Sequence, residues 1–363
     1  MSEPTQEEVI SVVSSIFDVS AIGRSLDSIH FKIEDNEFKT KFVELAQKLE
    51  RHDLVCHIEN LLDGRYVIVR KLPQRKKGWL HSTAWIPRIL FAVVIGFVMV
   101  DGYFRTEVAN NVVHIGDPLE MAGIYTLSLL GILGIHESGH LAAARLHKLK
   151  TTWPYFIPGI PVYGIPTFGA FIQARGLTVN REILFDVAIA GPIAGLVIAI
   201  IVSIFAAYTA PVIDAEVMEQ LPEETRLTDW GRGEPLLMTA TLAMFGKGDD
   251  GQVVLMTPLL FAAWFGFLIT FINLLPAWQL DGGHMARTIL GEKLHGYATY
   301  GSIAVLVLLG YWFMGMLILL LMSRSPAARP LDDVSPLSRN RKLLFILIVV
   351  LAILCAPLPT TLS

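Results

Sequence analysis

The chain has 363 residues, 53% of them hydrophobic and 17% charged, where ordinary soluble domains carry about a quarter charged. A net charge of −4 excludes a general nucleic-acid binder, and Cys56 and Cys355 sit too far apart for a disulfide framework or a metal-ligand spacing. The apolar excess lies almost wholly after Trp85, in blocks long enough to cross a bilayer.

Residues 1–80 read as a small soluble α+β domain. The start, Met1-Ser2-Glu3-Pro4, is polar and acidic, which predicts no cleavable signal peptide. Thr5-Gln6-Glu7-Glu8 has capping-box spacing and opens a first helix. Residues 28–33 alternate like a half-buried strand. Residues 37–52 have helical periodicity, with Phe38, Phe42, Leu45, Ala46 and Leu49 on one face. After the turn signal Asp63-Gly64, residues 65–69 read as a second strand. No catalytic motif lies here, so the domain is expected to serve folding or to dock a cytosolic partner.

Residues 81–363 read as an α-helical polytopic membrane domain of about six spans, at 85–104, 121–146, 183–208, 255–275, 303–322 and 343–358. Arg70, Lys71, Arg75, Lys76 and Lys77 precede the first span, which predicts a cytosolic N-terminal domain in a cell membrane. Arg145, Lys148 and Lys150 then mark the inner end of the second span, and Arg287 and Lys293 that of the fourth. The basic loop between the last two spans, with Arg324, Arg329, Arg339, Arg341 and Lys342, runs against this topology. Trp79, Trp85 and Trp153 fit an interfacial belt.

The second span contains His136-Glu137-Ser138-Gly139-His140. Histidines at i and i+4 share one helix face, so both imidazoles reach one zinc ion. Glu137 falls beside the open position of such a site, placed to take a proton from water there. An acid in an apolar span costs about 2.5–3.5 kcal/mol, and residues that carry such a cost are functional by default. His140 lies about seven residues from the inner end of the helix, hence on the order of 10–15 Å deep.

Residues 151–180 interleave Pro154, Pro158, Pro161 and Pro166 with Gly159, Gly164, Gly169 and Gly176, which excludes a helix. The stretch is nonetheless apolar and predicts a re-entrant, β-like loop. Within it, residues 167–173 have strand-like content. Gly169 and Phe171 are candidate substrate-contacting residues there, on an edge that pairs with an unwound substrate or else plugs the cavity. The third span carries Gly191-x-x-x-Gly195, a spacing that suits close helix packing.

A third protein ligand is needed for zinc. The fourth span ends at Asn273-Leu274-Leu275-Pro276, followed by Asp281-Gly282-Gly283-His284. Pro276 and the glycine pair are expected to break the helix, leaving Asp281 on unwound backbone at the depth of His140. His284 is the rival ligand and ranks second.

The helix-borne His136-Glu137-x-x-His140, with Asn273-x-x-Pro276-x-x-x-x-Asp281-Gly282 downstream, resembles the site-2 proteases. The likeness covers residues 85–291 and includes Phe185-Asp186 through Gly191-Pro192 to Gly195. With a soluble domain ahead of the core and no room for a PDZ insertion in the loop 211–254, it is closest to the archaeal, cyanobacterial and plastid branch. The resemblance implies an intramembrane zinc metalloprotease acting on transmembrane protein substrates in the lipid bilayer. It implies that His136, His140 and Asp281 bind zinc, that Glu137 is the catalytic base, and that Asn273 hydrogen-bonds substrate. Two alternatives remain at this point. Another integral zincin would draw a third ligand from a downstream Glu, but the core spans contain none facing inward. A transporter or an inactive homologue acting as a membrane binding or chaperone protein would be expected to lack a ligand or the Glu.

Overall fold

The computed structural model describes residues 5–72, 85–149, 151, 153–161, 165–171, 178–215, 233–248, 251–324 and 329–358. Arg75, Lys76, Lys77, Trp79, Tyr163, Gly164, Ile172, Gln173, Gly176 and residues 216–232 of the loop 211–254 lie outside them.

Residues 6–71 form two helices and a four-stranded antiparallel sheet: α1 Gln6–Ser14, β1 Val19–Arg24, β2 Ser28–Ile33, α2 Phe38–Glu50, β3 Leu54–Leu61 and β4 Gly64–Lys71. Strand order is β1-β2-β4-β3. The capping box at Thr5 is present, with Glu8 N–H donating to Thr5 Oγ1 at 3.3 Å and Thr5 N–H to Glu8 Oε2 at 2.8 Å. Phe31, Phe42 and Leu45 are fully buried between the helices and the sheet. Burial of each stabilises by about 1.5–3 kcal/mol. That core does not stop at residue 71. Val179 and Ile183 belong to it, and Leu149, Val187, Leu331 and Val334 pack against it. Cys56 lies within it, and burial pushes its thiol up to about 12, so it is unreactive at neutral pH.

Among the described residues, three helices are long and apolar enough to cross a membrane: α3 Trp85–Asn110, α4 Pro118–Leu146 and α5 Arg181–Thr209. They contain the first three predicted spans. Asp117 caps α4 through two N–H contacts at 3.0 Å, and Asn180 caps α5 by accepting Ile183 N–H at 2.8 Å. The outer faces of α3 and α5 expose Ile89, Phe91, Val197, Ile201 and Phe205, as lipid-facing helices do. The helix α6, Leu236–Ala243, follows and packs against α5. Then α7, Pro258–Leu274, is buried nearly all round and forms the centre of the bundle.

The later spans differ from expectation. The apolar run 303–322 is long enough to be expected as one span. Instead α8, Asp281–Leu308, ends there and α9, Trp312–Arg324, begins. Gly310 at φ +84° reverses the chain, with Gly310 N–H on Val307 O at 3.1 Å and Tyr311 N–H on Leu306 O at 2.7 Å. That is the Schellman ending, which requires a left-handed residue that only glycine adopts without strain. The last helix is α10, Arg339–Cys355.

The proline-rich segment forms a two-stranded hairpin, β5 Tyr155–Pro158 and β6 Thr167–Phe171. Tyr155 faces Phe171, Phe156 faces Ala170, and a bulge precedes the Pro158–Thr167 pair. The hairpin packs on the membrane helices, with Phe156 4.7 Å from the Phe91 ring on α3 and Phe168 6.2 Å from the Phe313 ring on α9. Trp85 and Trp153 stand exposed. One polar cluster is buried on the far side: Asp101 on α3 accepts from Tyr125 Oη at 2.8 Å and Arg105 Nε at 2.6 Å, while Arg105 lies over the Phe261 ring at 3.5 Å. These contacts tie α3, α4 and α7 together and offset the cost of a carboxylate among apolar helices.

Candidate metal centre

On α4, His136 and His140 project one turn apart toward α5 and the start of α8. Their Nε2 atoms are 3.2 Å apart, and Asp281 Oδ2 is 3.3 Å from each. All three ligand atoms lie within 4.8 Å of one another. Ligands at about 2.0–2.1 Å around a tetrahedral zinc ion are about 3.3 Å apart. Two imidazoles and one carboxylate at this spacing fit zinc in chemistry and size, and leave the fourth position open for water or substrate.

The orientation of His140 is fixed from behind. Its Nδ1 is 2.8 Å from Val187 O on α5. A carbonyl only accepts, so Nδ1 carries the proton and the Nε2 lone pair is free for a metal. Glu137 stands between the two histidines in sequence and is 6% exposed.

Room for the imidazoles comes from glycine. A Cβ at Gly191 would lie 2.1 Å from His140 Nε2, and one at Gly195 would lie 2.9 Å from His136 Cβ. On the opposing helix, a Cβ at Gly139 would lie 2.4 Å from Ala190 O. The Gly191-x-x-x-Gly195 pair, expected to serve helix packing alone, is therefore the surface on which both candidate ligands lie. Its signal in the sequence is the alignment of three glycines across two helices, with Gly139 inside the His-Glu motif itself.

Asp281 departs from expectation in its local structure. Helix α7 does end at Leu274, ahead of Pro276, but Asp281 is the first residue of α8 and the glycine pair lies inside that helix. A Cβ at Gly282 would meet Leu274 O at 2.1 Å, and one at Gly283 would meet Ala277 O at 2.3 Å. The glycines thus press the first turn of α8 onto the end of α7 and do not unwind it. The carboxylate sits at a helix N-terminus, where the peptide dipoles favour negative charge.

The other candidates are not in the ligand group. His284 is one turn further along α8, half-buried, and its backbone N–H bonds Leu280 O at 2.8 Å. Asn273 is half-buried in the last turn of α7. Gly169 has φ +92° at the hairpin bulge with open space where a Cβ would stand. That conformation, more than close approach of another backbone, is what requires glycine here. Phe171 closes β6, and its side chain lies outside the described residues. Thr167, fully buried and not foreseen, fixes the bulge by donating to Ile157 O at 2.9 Å and accepting Gly169 N–H at 3.2 Å.

Comparison with known proteins agrees with the resemblance to site-2 proteases. The chain is 30% identical to "Probable zinc metalloprotease EGY2, chloroplastic" of Arabidopsis thaliana over 63% of its own length and 40% of the relative's. It is 32% identical to "Probable zinc metalloprotease EGY1, chloroplastic" of the same plant, over 62% of this chain and 41% of that one. The EGY2 protein of Oryza sativa subsp. indica is 28% identical over 77% of this chain and 51% of its own length. The chain therefore spans about half, or less, of each of these relatives. No solved structure matches it. The sequence profile described as Peptidase family M50 matches residues 124–314, a stretch that contains His136, Glu137, His140 and Asp281 and exceeds half of the 363 residues; the chain belongs to Peptidase family M50.

Proposed function

We propose that the chain is an intramembrane zinc metalloprotease that hydrolyses peptide bonds in or near transmembrane segments of other proteins. The observation that carries this reading is the convergence of His136, His140 and Asp281 to 3.2–3.3 Å beside a buried Glu137, with His136, Glu137 and His140 on α4, a helix of membrane-spanning length. Family membership and the printed names of the relatives support it. An inactive homologue would be expected to lack a ligand or the base, and all four residues are present.

His136, His140 and Asp281 would hold zinc, which when bound supplies a Lewis acid that polarises the scissile carbonyl and makes water nucleophilic near neutral pH. Glu137 takes the proton from that water as its oxygen bonds the carbonyl carbon. It then gives the proton to the amide nitrogen as the C–N bond breaks, so acid and base are one carboxyl. Asn273 would hydrogen-bond the substrate backbone. We place residues 1–80 in the cytosol, ahead of a multi-pass domain of about six spans at 81–363 in the cell membrane, its last spans being formed by helices shorter than α3 to α5.

The test pairs metal analysis with cleavage. The purified full chain in detergent should contain zinc and cut a single-span substrate, lose activity on chelation, and regain it with zinc. Asp281→Ala should strip the metal and His284→Ala should spare it. Equal zinc loss in both, or loss only in the second, would reassign the third ligand. Cleavage that survives complete chelation would remove the metalloprotease reading.

A transmembrane helix hides its carbonyls in its own hydrogen bonds, so substrate must unwind before cleavage. Strand β6, through Gly169 and Phe171, would offer an edge on which the unwound backbone re-forms those bonds where water is scarce. In an antiparallel pair only alternate N–H groups face the partner strand, and the rest point outward. Proline placed singly at Ala170 and at Phe171, neighbours beyond the bulge, should therefore impair cleavage at only one of the two with zinc retained, while Gly169, whose φ of +92° excludes proline and whose N–H bonds Thr167 Oγ1, is left in place. Uniform tolerance would leave the hairpin as a plug.

A further inference from the structure

Residues 329–335 run between the N-terminal domain and the helices that carry the metal centre. Ile58 N–H, on the outer edge of β3, donates to Leu331 O at 3.1 Å. Leu331 N–H donates to Thr178 O at 2.9 Å, and Asp332 N–H to Val179 O at 2.8 Å. The soluble sheet thus continues through this strap into the residues that open α5. Asp332 is fully buried and is used locally, accepting Val334 N–H at 3.1 Å and Ser335 N–H at 2.9 Å, which makes the strap a fixed turn.

Asp333, the next residue, faces cations from two different elements. Its Oδ2 is 2.7 Å from Arg287 Nη2 and its Oδ1 is 2.9 Å from Arg181 Nε, with Arg329 Nε at 3.9 Å. Arg181 is the first residue of α5, whose Val187 carbonyl orients His140. Arg287 is 2% exposed and stands on α8 six residues after Asp281, about 9 Å along the axis. The helix is interrupted just beyond, at Gly291 with φ +74°. Residues 281–290 are therefore a short rod. Its first turn rests on the end of α7 through Gly282 and Gly283, and its other end is held by the charge of Asp333.

We propose that Asp333 and Arg287 are positioning residues for the metal centre, and that the N-terminal domain acts on that centre through the strap. One carboxylate sets the rotation of the rod that presents Asp281 and the seat of the helix that orients His140. A partner that displaces the soluble domain would pull on Leu331, loosen Asp333 from Arg287, and let Asp281 withdraw. The inference rests on the reading of His136, His140 and Asp281 as metal ligands, and the test separates the two.

The probe is cobalt(II), whose visible absorption reports the number and geometry of its ligands, titrated into the full-length chain in detergent. Asp333→Asn should weaken cobalt and zinc binding by up to about 10-fold, the lower end of the range for groups bonded directly to a ligand, because Asp333 acts on the ligands through Arg287 and Arg181. Its cobalt spectrum should shift from the wild-type form toward that of a site with one protein ligand fewer. Asp333→Glu, which keeps the charge, should recover most of the affinity, a rescue that loss of packing alone would not give. If Asp333→Asn does not fold by circular dichroism, Arg287→Lys takes its place, keeping one charge and losing the two-pronged contact. Ile58→Pro removes the donor to Leu331 and spares the ladder to β4, so it should shift the spectrum the same way by less. A folded Asp333→Asn with wild-type affinity and spectrum overturns the proposal. An unmoved Ile58→Pro overturns the part played by the soluble domain. A wild-type chain with no cobalt site would instead overturn the metal-centre reading itself.

Discussion

Glu137→Gln is expected to leave zinc bound and to lower cleavage by about 10²–10⁴-fold, the contribution of a positioned general base. The amide keeps the shape of the carboxylate, so the packing of a side chain only 6% exposed is undisturbed. What it loses is the ability to take a proton at neutral pH. The side chain is also absent from the group of three converging ligand atoms, so metal content should not follow activity. Zinc analysis and single-turnover cleavage on the same preparation check both halves. A variant that cleaves at the wild-type rate would rule out Glu137 as base. A variant that loses zinc along with activity would make it a ligand.

The His-Glu-x-x-His pattern is legible in the sequence because it is local. Two histidines four apart on one helix must share a face, and Glu137 must lie at the side of that face, whatever the rest of the chain does. Asp281 was reached by a weaker argument, its depth relative to His140, and the structure brings it to 3.3 Å from both imidazoles. The backbone around it differs from the unwound segment expected. A Gly-Gly pair after a proline looks like a breaker, yet here both glycines are helical and are required by the carbonyls of Leu274 and Ala277 opposite them. Composition cannot reveal which neighbour a missing Cβ makes room for.

Elsewhere the limits had the same origin. Strand β2 shows a period of two in its burial and was read directly, whereas β1 is an almost wholly exposed edge and β3 opens with an unbroken buried run. β1 shows no alternation and β3 alternates only over residues 56–59, too short a stretch to mark a strand in the sequence. The apolar run at 303–322 is long enough for one span, but Gly310 divides it, and hydropathy counts do not register a single left-handed residue. The strap is the extreme case. Asp333 joins Arg181 across 152 positions, and only the folded chain shows that these charges meet.

Gly191→Ala is expected to do more damage to the metal centre than loss of a ligand's outer partner, which costs about 10–100-fold in affinity. The added methyl would stand 2.1 Å from His140 Nε2 and 2.5 Å from its Cδ2 and Cε1, so the ring cannot remain where it is. Any swing that relieves the clash also breaks the 2.8 Å bond from Nδ1 to Val187 O and carries Nε2 away from Asp281. Gly195→Ala meets His136 Cβ at 2.9 Å and Nδ1 at 3.1 Å, a shallower clash that does not fall on the metal-facing nitrogen, so its effect should be smaller. Gly134→Ala, two residues before the motif on the same helix, meets nothing within 4 Å and should leave zinc unchanged. Gly102→Ala supplies the opposite control. Its methyl would lie 2.5 Å from Tyr125 Cδ1 and 3.0 Å from Ala122 Cα, which should lower the thermal midpoint through packing of α3 on α4 while zinc per folded chain stays at the wild-type level. Zinc affinity should therefore rank Gly134→Ala above Gly195→Ala above Gly191→Ala, and stability should not follow that order. Wild-type zinc affinity in Gly191→Ala would mean that His140 does not need its observed position to bind the metal, and the assignment of that imidazole as a ligand would fall with it.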